Sequence, residues 1–288
     1  MENVPMKRYT SMRVGGPARY LLYPVDEADL RNILGYLIHK DIPYRFLGNG
    51  TNVIVNDKGL NEALIRITRM KRKGYKKTKD GAIADVSGGI SLKQFIRDNA
   101  RRGLSGLENL YWIPGTVGGA LKMNAGSFGA SVSDSLLTMR VLNAHGHIVT
   151  MTRRDAPFGY RTSPIKASEC VMNARFNLKS RDKNEIAKDM AHVYSERKKR
   201  HPMEFPSAGS VFKGVKGEAA WKFIEKAGLK GLKIGGAGVS EKHANFIVNL
   251  GSATANDVRA LIDTIKRGVF EKTGVSLEEE VELWGFNG

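Results

Sequence analysis

The glycine-rich passage that decides the fold of this chain reads IPGTVGGALKMNAG and spans residues 113–126. Each glycine removes a side chain from a surface that another group can then approach closely. A simple turn does not need Gly118 and Gly119 followed by a second Asn-Ala-Gly sequence, so the spacing favours a loop that contacts a ligand. A plain turn is the alternative interpretation.

A second glycine stretch, LGNGTN at residues 47–52, lies between two short apolar segments around 44–47 and 53–55. Its glycines can adopt positive φ, which turns successive backbone N–H groups toward one point and forms a nest for phosphate. Asn-Gly is also a strong signal for an ordinary hairpin turn. The stretch is not a Rossmann fingerprint, because the third glycine is missing and a strand pattern follows.

Helical and strand patterns alternate along the chain, which predicts a mixed α+β architecture. Asp26 is predicted to cap a helix that ends before Pro43, and Ser91 is predicted to cap a second one. A hairpin is predicted over 136–151, and the chain becomes more helical and charged from Ser180 onward. We therefore predict three parts, at residues 1–70, 71–180 and 181–288.

The charge balance restricts the classes of partner. The formal net charge is +17 over 288 residues, which is compatible with nucleic-acid binding, with a site for polyanionic small molecules, or with a lysine-rich solvated surface. The densest basic runs are 71–73 with 76–77, and 197–200; Tyr75 is the single aromatic residue among them, so the repeated interleaved aromatics of a single-strand binder are missing. The prediction is therefore that nucleic acid is not a partner.

The cysteine content and hydropathy predict a cytoplasmic protein. Cys170 is the single cysteine, so no intrachain disulfide forms, and a buried thiol is favoured over a nucleophile. The N-terminus lacks a signal-peptide pattern, and no apolar run approaches the roughly 20 residues of a membrane helix. The six histidines are scattered without zinc-site spacing, so no metal is predicted.

Three further stretches carry side chains suited to chemistry. In FGYRTS, residues 158–163, Arg161 is either a surface charge or a guanidinium that binds a carboxylate with both arms. In PSAGSVFK, residues 206–213, Ser210 is either a turn residue or a hydroxyl that faces a cleft; neither a hydrolase elbow nor a P-loop matches this frame.

The third of these stretches, LEEEVE at residues 277–282, contains three consecutive glutamates. Acidic runs are usually solvated. In a strand, however, Glu280 and Glu282 would share one face while Val281 points to the other. The sequence alone leaves open which glutamate has a functional role.

These five stretches, in this order, resemble the family of UDP-N-acetylenolpyruvoylglucosamine reductases, also called UDP-N-acetylmuramate dehydrogenases. The resemblance runs from YTSMRVGG at 9–16, through SEKHANFIVN at 240–249, to the glutamate stretch. The chain looks like the family's short form, which lacks a tyrosine-bearing insertion. The ordered set of motifs is far more specific than any one of them.

The resemblance implies an FAD-binding fold of the vanillyl-alcohol-oxidase (PCMH) type in two subdomains, 1–70 and 71–180, and a substrate-binding domain over 181–288. Catalytic roles are implied for Arg161, Ser210 and Glu280. The implied cofactor-binding residues are Gly48, Asn49, Gly50, Thr51, Asn52, Pro114, Gly115, Thr116, Gly118, Gly119, Asn124, Ala125 and Gly126. Substrate contacts are implied for Tyr160, Lys213, His243 and Asn245.

The reaction implied by the resemblance belongs to peptidoglycan precursor synthesis, and hence to cell-wall biogenesis, cell shape and cell division. NADPH reduces the FAD, and hydride from flavin N5 then goes to C3 of the enolpyruvyl group of UDP-N-acetylglucosamine enolpyruvate. Arg161 would stabilise the enolate that forms, Glu280 would help if it is protonated or acts through a donor, and Ser210 would protonate C2.

The chain departs from the family pattern at two places. Glu279 stands where relatives commonly have proline, and Gly214-Val215 replaces a usual polar-proline pair after Lys213.

The rival enzyme interpretation is a flavin oxidase of the same fold, but the glycine loops contain no His or Cys for covalent flavin attachment.

Overall fold

A computed structural model of the chain describes residues 1–286. Its strands are β1 (Glu2–Pro5), β2 (Pro17–Leu22), β3 (Tyr44–Phe46), β4 (Val53–Val55), β5 (Leu60–Ile65), β6 (Lys73–Thr78), β7 (Gly81–Ser87), β8 (Leu104–Ser105), β9 (Gly126–Ser127), β10 (Ala130–Ser131), β11 (Leu136–Leu142), β12 (Ile148–Thr152), β13 (Cys170–Ser180), β14 (Ser207–Ser210), β15 (Lys233–Ile234), β16 (Ala237–Val239), β17 (Phe246–Asn249) and β18 (Glu282–Trp284). Its α-helices are α1 (Glu27–His39), α2 (Leu92–Arg101), α3 (Val117–Lys122), α4 (Lys183–Arg200), α5 (Ala220–Lys226) and α6 (Ala255–Thr273).

The chain divides into two compact units that are not continuous in sequence. The larger unit comprises residues 21–49 and 62–197; the smaller unit comprises residues 1–20 and 50–61 and the chain from 198 onward. Each unit has its own apolar core, as expected when every sheet and helix must bury one face. The predicted division of the chain into three parts, at residues 1–70, 71–180 and 181–288, stays a prediction.

An antiparallel sheet with strand order β12-β11-β13-β7-β6 forms the framework of the larger unit. Helix α2 packs its apolar face on this sheet, where the rings of Phe95 and Phe176 lie 5.5 Å apart between centroids. The predicted caps of two helices are present: the Asp26 carboxylate accepts from the N–H of Asp29, and the Ser91 hydroxyl from that of Gln94. The predicted hairpin is β11–β12.

The smaller unit contains an antiparallel sheet with strand order β14-β17-β16-β15, and β18 pairs in parallel with β4. Helix α6 begins with a capping box between Thr254 and Asp257 and ends at Gly274, whose φ of 70° is favourable for glycine. The buried amide of Asn249 donates to the carbonyl of Met12 at 3.0 Å, which anchors the N-terminal segment within this unit.

Three sequence-based element assignments need correction. The glycine passage predicted as a loop contains the helix α3, because the Thr116 hydroxyl accepts from the N–H of Gly119 at 3.1 Å and caps a first turn. The basic run at 71–77, predicted between strands, contributes Lys73, Lys76 and Lys77 to β6 itself. Strand β14 lies at 207–210, not at 210–213, so that Ser210 ends it.

A last property of the fold is the length and apolar character of its helices, which decide whether a helix can span a membrane. Across residues 1–286, none of the helices combines the length and the apolar character needed to cross a bilayer.

Candidate functional site

A cleft lies within the larger unit, and residues of both glycine stretches line it. Four of the predicted cofactor-binding residues line it: Gly48, Thr116, Gly118 and Gly119. Gly88 and Gly89, which follow β7, also line it. Sequence reasoning missed these two, although an adjacent glycine pair directly after a strand was a usable signal.

Five glycines contribute bare backbone to the walls of this cleft: Gly48, Gly88, Gly89, Gly118 and Gly119. A Cβ added at Gly48 would lie 2.9 Å from the Thr116 hydroxyl oxygen, and one at Gly118 would lie 3.1 Å from the carbonyl oxygen of Gly88. Both distances are too short for an unstrained contact. Glycine therefore keeps the cleft open for a flat or phosphate-bearing group, and the residues present are compatible with FAD.

Arg66 fixes the end of the first glycine stretch. Its Nε donates to the carbonyl of Gly48 at 3.0 Å, and an Nη donates to the side-chain oxygen of Asn49 at 3.4 Å. Arg66 thus holds the carbonyl oxygen of Gly48, which lines the cleft, and the side-chain oxygen of Asn49. Arg66 was not predicted, because a single arginine after a strand carries no distinctive sequence signal.

The loop that contains Arg161 is attached to the second glycine stretch. The Asn124 side-chain amide donates to the carbonyl of Gly159 at 2.8 Å, and the Ser163 hydroxyl donates to the carbonyl of Lys122 at 2.7 Å. Arg161 has φ of 55°, in the region that favours glycine, and its Nη1 is 3.5 Å from the position of a Cβ at Gly126. The structure therefore brings Arg161 together with Asn124 and Gly126.

Ser210 and Glu280 lie on neighbouring backbone segments of the smaller unit. The N–H of Glu280 donates to the carbonyl of Val211 at 2.7 Å, directly after Ser210. The side-chain amide of Asn52 donates to the carbonyl of Glu280 at 3.0 Å. Glu280 precedes β18, so the shared strand face that the sequence offered for Glu280 and Glu282 is not formed, and Val281 is buried.

The two glutamates before Glu280 are engaged by lysines. Glu278 pairs with Lys213, and a Glu279 carboxylate oxygen lies 2.9 Å from the Nζ of Lys266. Burial of Glu279 is the largest influence and opposes ionisation, but the hydrogen bond from Lys266, a backbone hydrogen bond and the charges of Lys266 and Arg259 together lower the pKa of this carboxyl. These pairings give Glu278 and Glu279 defined partners, which the sequence alone did not.

The four predicted substrate contacts differ in environment. Tyr160 is exposed beside the guanidinium of Arg161, and Lys213 pairs with Glu278. Burial lowers the pKa of His243, whose Nδ1 accepts from the N–H of Asn245 at 3.2 Å. The Asn245 side chain is buried and binds both the N–H and the carbonyl of Phe212, so it holds the strand end beside Ser210.

The remaining predicted cofactor residues lie in the same two stretches. The carbonyl of Gly50 accepts from the N–H of Ser11, and a Cβ at Gly50 would lie 2.1 Å from the carbonyl oxygen of Tyr9, so this position requires glycine. Its neighbour Thr51 belongs to the smaller unit, and Pro114, Gly115 and Ala125 belong to the larger one. The roles of these residues in binding a cofactor stay predictions.

Cys170 lies on the wall of the cleft without nucleophilic character. Burial raises the pKa of its thiol to about 12, and a thiol with this pKa remains protonated near neutral pH. The structure agrees with the interpretation of Cys170 as a buried residue.

Comparison with known proteins identifies the relatives of this chain. The sequence profile of the UDP-N-acetylenolpyruvoylglucosamine reductase C-terminal domain matches residues 201–284, and the profile of an FAD binding domain matches residues 18–152. A UDP-N-acetylenolpyruvoylglucosamine reductase of Caldanaerobacter subterraneus subsp. tengcongensis is 40% identical over 284 residues, which cover 98% of this chain and 93% of that protein.

Two further relatives cover nearly the full chain. A UDP-N-acetylenolpyruvoylglucosamine reductase of Lactobacillus delbrueckii subsp. bulgaricus is 41% identical over 285 residues, covering 99% of this chain and 95% of that protein. The crystal structure of UDP-N-acetylenolpyruvylglucosamine reductase from Thermus caldophilus superimposes with a TM-score of 0.81 at 38% identity, and covers 98% of this chain and 97% of that one.

Proposed function

The chain belongs to the family of UDP-N-acetylenolpyruvoylglucosamine reductases, and we propose that its Arg161, Ser210 and Glu280 carry out the family's reaction. The predicted FAD-binding fold of the vanillyl-alcohol-oxidase (PCMH) type is confirmed. The chain is an oxidoreductase that reduces UDP-N-acetylglucosamine enolpyruvate to UDP-N-acetylmuramate in peptidoglycan synthesis, with FAD and NADPH. The observation that carries the proposal is the glycine-walled cleft inside the FAD-binding region.

We propose that Gly48, Thr116, Gly118 and Gly119 hold the FAD, because they line the cleft and the three glycines let the cofactor approach the backbone closely. When bound, FAD takes two electrons from NADPH and supplies them to the enolpyruvyl double bond. The cap of α3 by Thr116 fixes the wall that contains Gly118 and Gly119. The protein's contribution here is to bind and orient.

Substitution Gly48→Val should abolish FAD retention, because the new side chain would collide with Thr116. The Cβ atom by itself would lie 2.9 Å from the Thr116 hydroxyl oxygen, and the valine methyl groups extend further. Absorbance of the flavin per mole of purified protein, before and after reconstitution with FAD, is the measurement. Gly74→Val is the matched control, since nothing lies within 4 Å of a Cβ at Gly74 in β6. Normal flavin content in Gly48→Val would remove Gly48 from the cofactor site.

We propose that Arg161 binds the carboxylate of the enolpyruvyl group. A guanidinium donates two parallel hydrogen bonds to a carboxylate, and it stabilises the charge that spreads into this group as the double bond is reduced. Attachment of the Arg161 loop to Asn124 and Lys122 restricts its motion, so that less reorganisation is needed during reaction.

Ser210 is the proposed proton donor to C2. A serine hydroxyl is a weak acid in water, but an enolate is basic enough to take its proton. The backbone beside Ser210 is fixed by the pairing of Ser210 with Phe246 and by the Asn245 amide on Phe212. These contacts hold Ser210 in place at the end of β14.

Glu280 is proposed to assist this proton transfer. Its N–H donates to the carbonyl of Val211 and keeps Glu280 beside the serine motif. Glu280→Gln should lower turnover at least about tenfold, because the amide cannot take up or release a proton as a carboxyl can. Glu279→Gln is its matched comparison, and equal turnover in the two variants would contradict the assignment.

The complete proposal is tested by following the flavin absorbance of the wild-type holoenzyme under anaerobic conditions. NADPH should bleach the flavin, and UDP-N-acetylglucosamine enolpyruvate should then restore its absorbance with formation of one UDP-N-acetylmuramate per flavin. Reoxidation by oxygen but not by the UDP-sugar would instead indicate a flavin oxidase.

We also propose that the enzyme works in the cytoplasm and without a nucleic-acid partner. A supply of NADPH and a single buried cysteine both suit a reducing compartment. Cell fractionation would test the location. A salt-dependent gel shift at physiological ionic strength would contradict the second statement.

A further inference from the structure

Arg197 is a buried arginine near the C-terminal end of α4, within the basic run at 197–200. It is 9% exposed, whereas the neighbouring Lys198, Lys199 and Arg200 are exposed. One Nη donates to the hydroxyl of Ser127 at 2.7 Å, while the buried Nε has no hydrogen-bond partner among the described residues.

The charge of Arg197 is not neutralised within residues 1–286, because its contacts there are the Ser127 hydroxyl and the ring of Phe128, 5.8 Å from its guanidinium carbon. Burying a guanidinium without a carboxylate is costly, so buried charges in proteins are normally paired. An anion from outside the chain would compensate this buried charge.

Arg161 and Arg197 converge on adjacent residues of one hairpin. Arg161 Nη1 lies 3.5 Å from the Cβ position of Gly126, and Arg197 binds the side chain of the next residue, Ser127. Burial first, and then the positive charge of Arg161, lower the pKa of Arg197 to about 10. The two guanidinium groups therefore repel one another, and an anion between them would relieve this repulsion.

Asn124 adds a second polar group that lacks a partner at the base of the same hairpin. It is 7% exposed, and its side-chain oxygen has no hydrogen-bond partner among the described residues, while its amide nitrogen holds the Arg161 loop. Buried polar atoms that lack partners are uncommon in native proteins and require an explanation. A bound group that carries a donor, or an ordered water beside it, would satisfy this oxygen.

We propose that Arg197 forms with Arg161 a two-arginine site for the carboxylate of the enolpyruvyl substrate, with Ser127 holding the Arg197 guanidinium in position. This inference rests on the proposed function, since it names a second residue for the same substrate group. The site distinguishes the substrate from UDP-N-acetylglucosamine, which has the same nucleotide and diphosphate but no carboxylate. Arg197 is thus a specificity-determining residue.

The test compares these two ligands in titrations of the oxidised holoenzyme, followed by the change in flavin absorbance. In the wild type, UDP-N-acetylglucosamine enolpyruvate should bind more tightly than UDP-N-acetylglucosamine. Arg197→Met should weaken binding of the enolpyruvyl ligand by about 10- to 100-fold, the range for loss of hydrogen bonds to a charged group. Binding of UDP-N-acetylglucosamine should be unchanged.

Two additional variants separate charge from structure. Arg197→Lys keeps the charge and should retain part of the preference for the enolpyruvyl ligand. If Arg197→Met does not retain FAD, Arg197→Lys is titrated in its place. Lys188→Met removes an exposed charge from the same helix and should alter neither affinity.

The outcomes are distinct. A wild type that reduces the enolpyruvyl substrate establishes the proposed function independently of Arg197. An unchanged preference between the two ligands in Arg197→Met and Arg197→Lys would overturn the two-arginine site. Equal weakening of both ligands would also overturn it, because the anion bound at Arg197 would then be the diphosphate.

Discussion

Substitution Ser210→Ala is expected to lower turnover by about 10²- to 10⁴-fold, the usual contribution of a positioned general acid. The physical reason is that C2 loses its proposed proton donor, while the groups proposed to bind the cofactor and the substrate carboxylate stay in place. Bleaching of the flavin by NADPH should therefore proceed at the wild-type rate, and recovery of its absorbance with the enolpyruvyl substrate should become slow.

Stopped-flow measurement of the two half-reactions separates these effects. The matched control is Ser207→Ala, which removes a hydroxyl from the same strand, β14, and leaves intact the backbone carbonyl that accepts from Ser11. If Ser210→Ala restores the flavin absorbance as fast as the wild type, another group donates the proton.

Arg161→Lys is the second substitution with a large expected effect. Lysine keeps the charge but loses the planar fork that binds both carboxylate oxygens, so kcat/KM should fall by about 10²- to 10³-fold, as for the loss of one donor to a developing oxyanion. Both residues have a Cβ, so the strain at φ of 55° is the same in the variant. FAD content should be unchanged.

Steady-state kinetics with saturating NADPH would measure this loss. Arg175→Lys is the control: Arg175 is an exposed arginine on β13 that pairs with Asp85, and its replacement should have little effect. Turnover near the wild-type value in Arg161→Lys would exclude a bidentate clamp at this position.

Local signals in the sequence were sufficient for several elements. Asp26 and Ser91 cap their helices because a side-chain oxygen next to the first turn satisfies its N–H groups whatever the surroundings. Gly274 ends α6 at positive φ for a similarly local reason. The family could also be identified from motif order, and the comparisons confirm it.

Other features needed neighbours that are distant in sequence. Strand β6 has a lysine-rich sequence without apolar alternation, and it is a strand because β7 offers a free edge for pairing. Helix α3 contains two glycines, which disfavour a helix, and it forms because Thr116 caps it and the sheet packs against Val117 and Leu121.

By itself the sequence determined the family, the glycine stretches and the residue types available for chemistry, because those are properties of the order of residues along the chain. Only the tertiary structure decided that Glu278 pairs with Lys213 and Glu279 with Lys266, and that Arg197 is buried beside Arg161 while the next three basic residues are exposed. Charge is encoded locally, but its environment depends on desolvation and on groups that approach from elsewhere in the chain. The function of a charged side chain therefore follows from its surroundings in the folded protein.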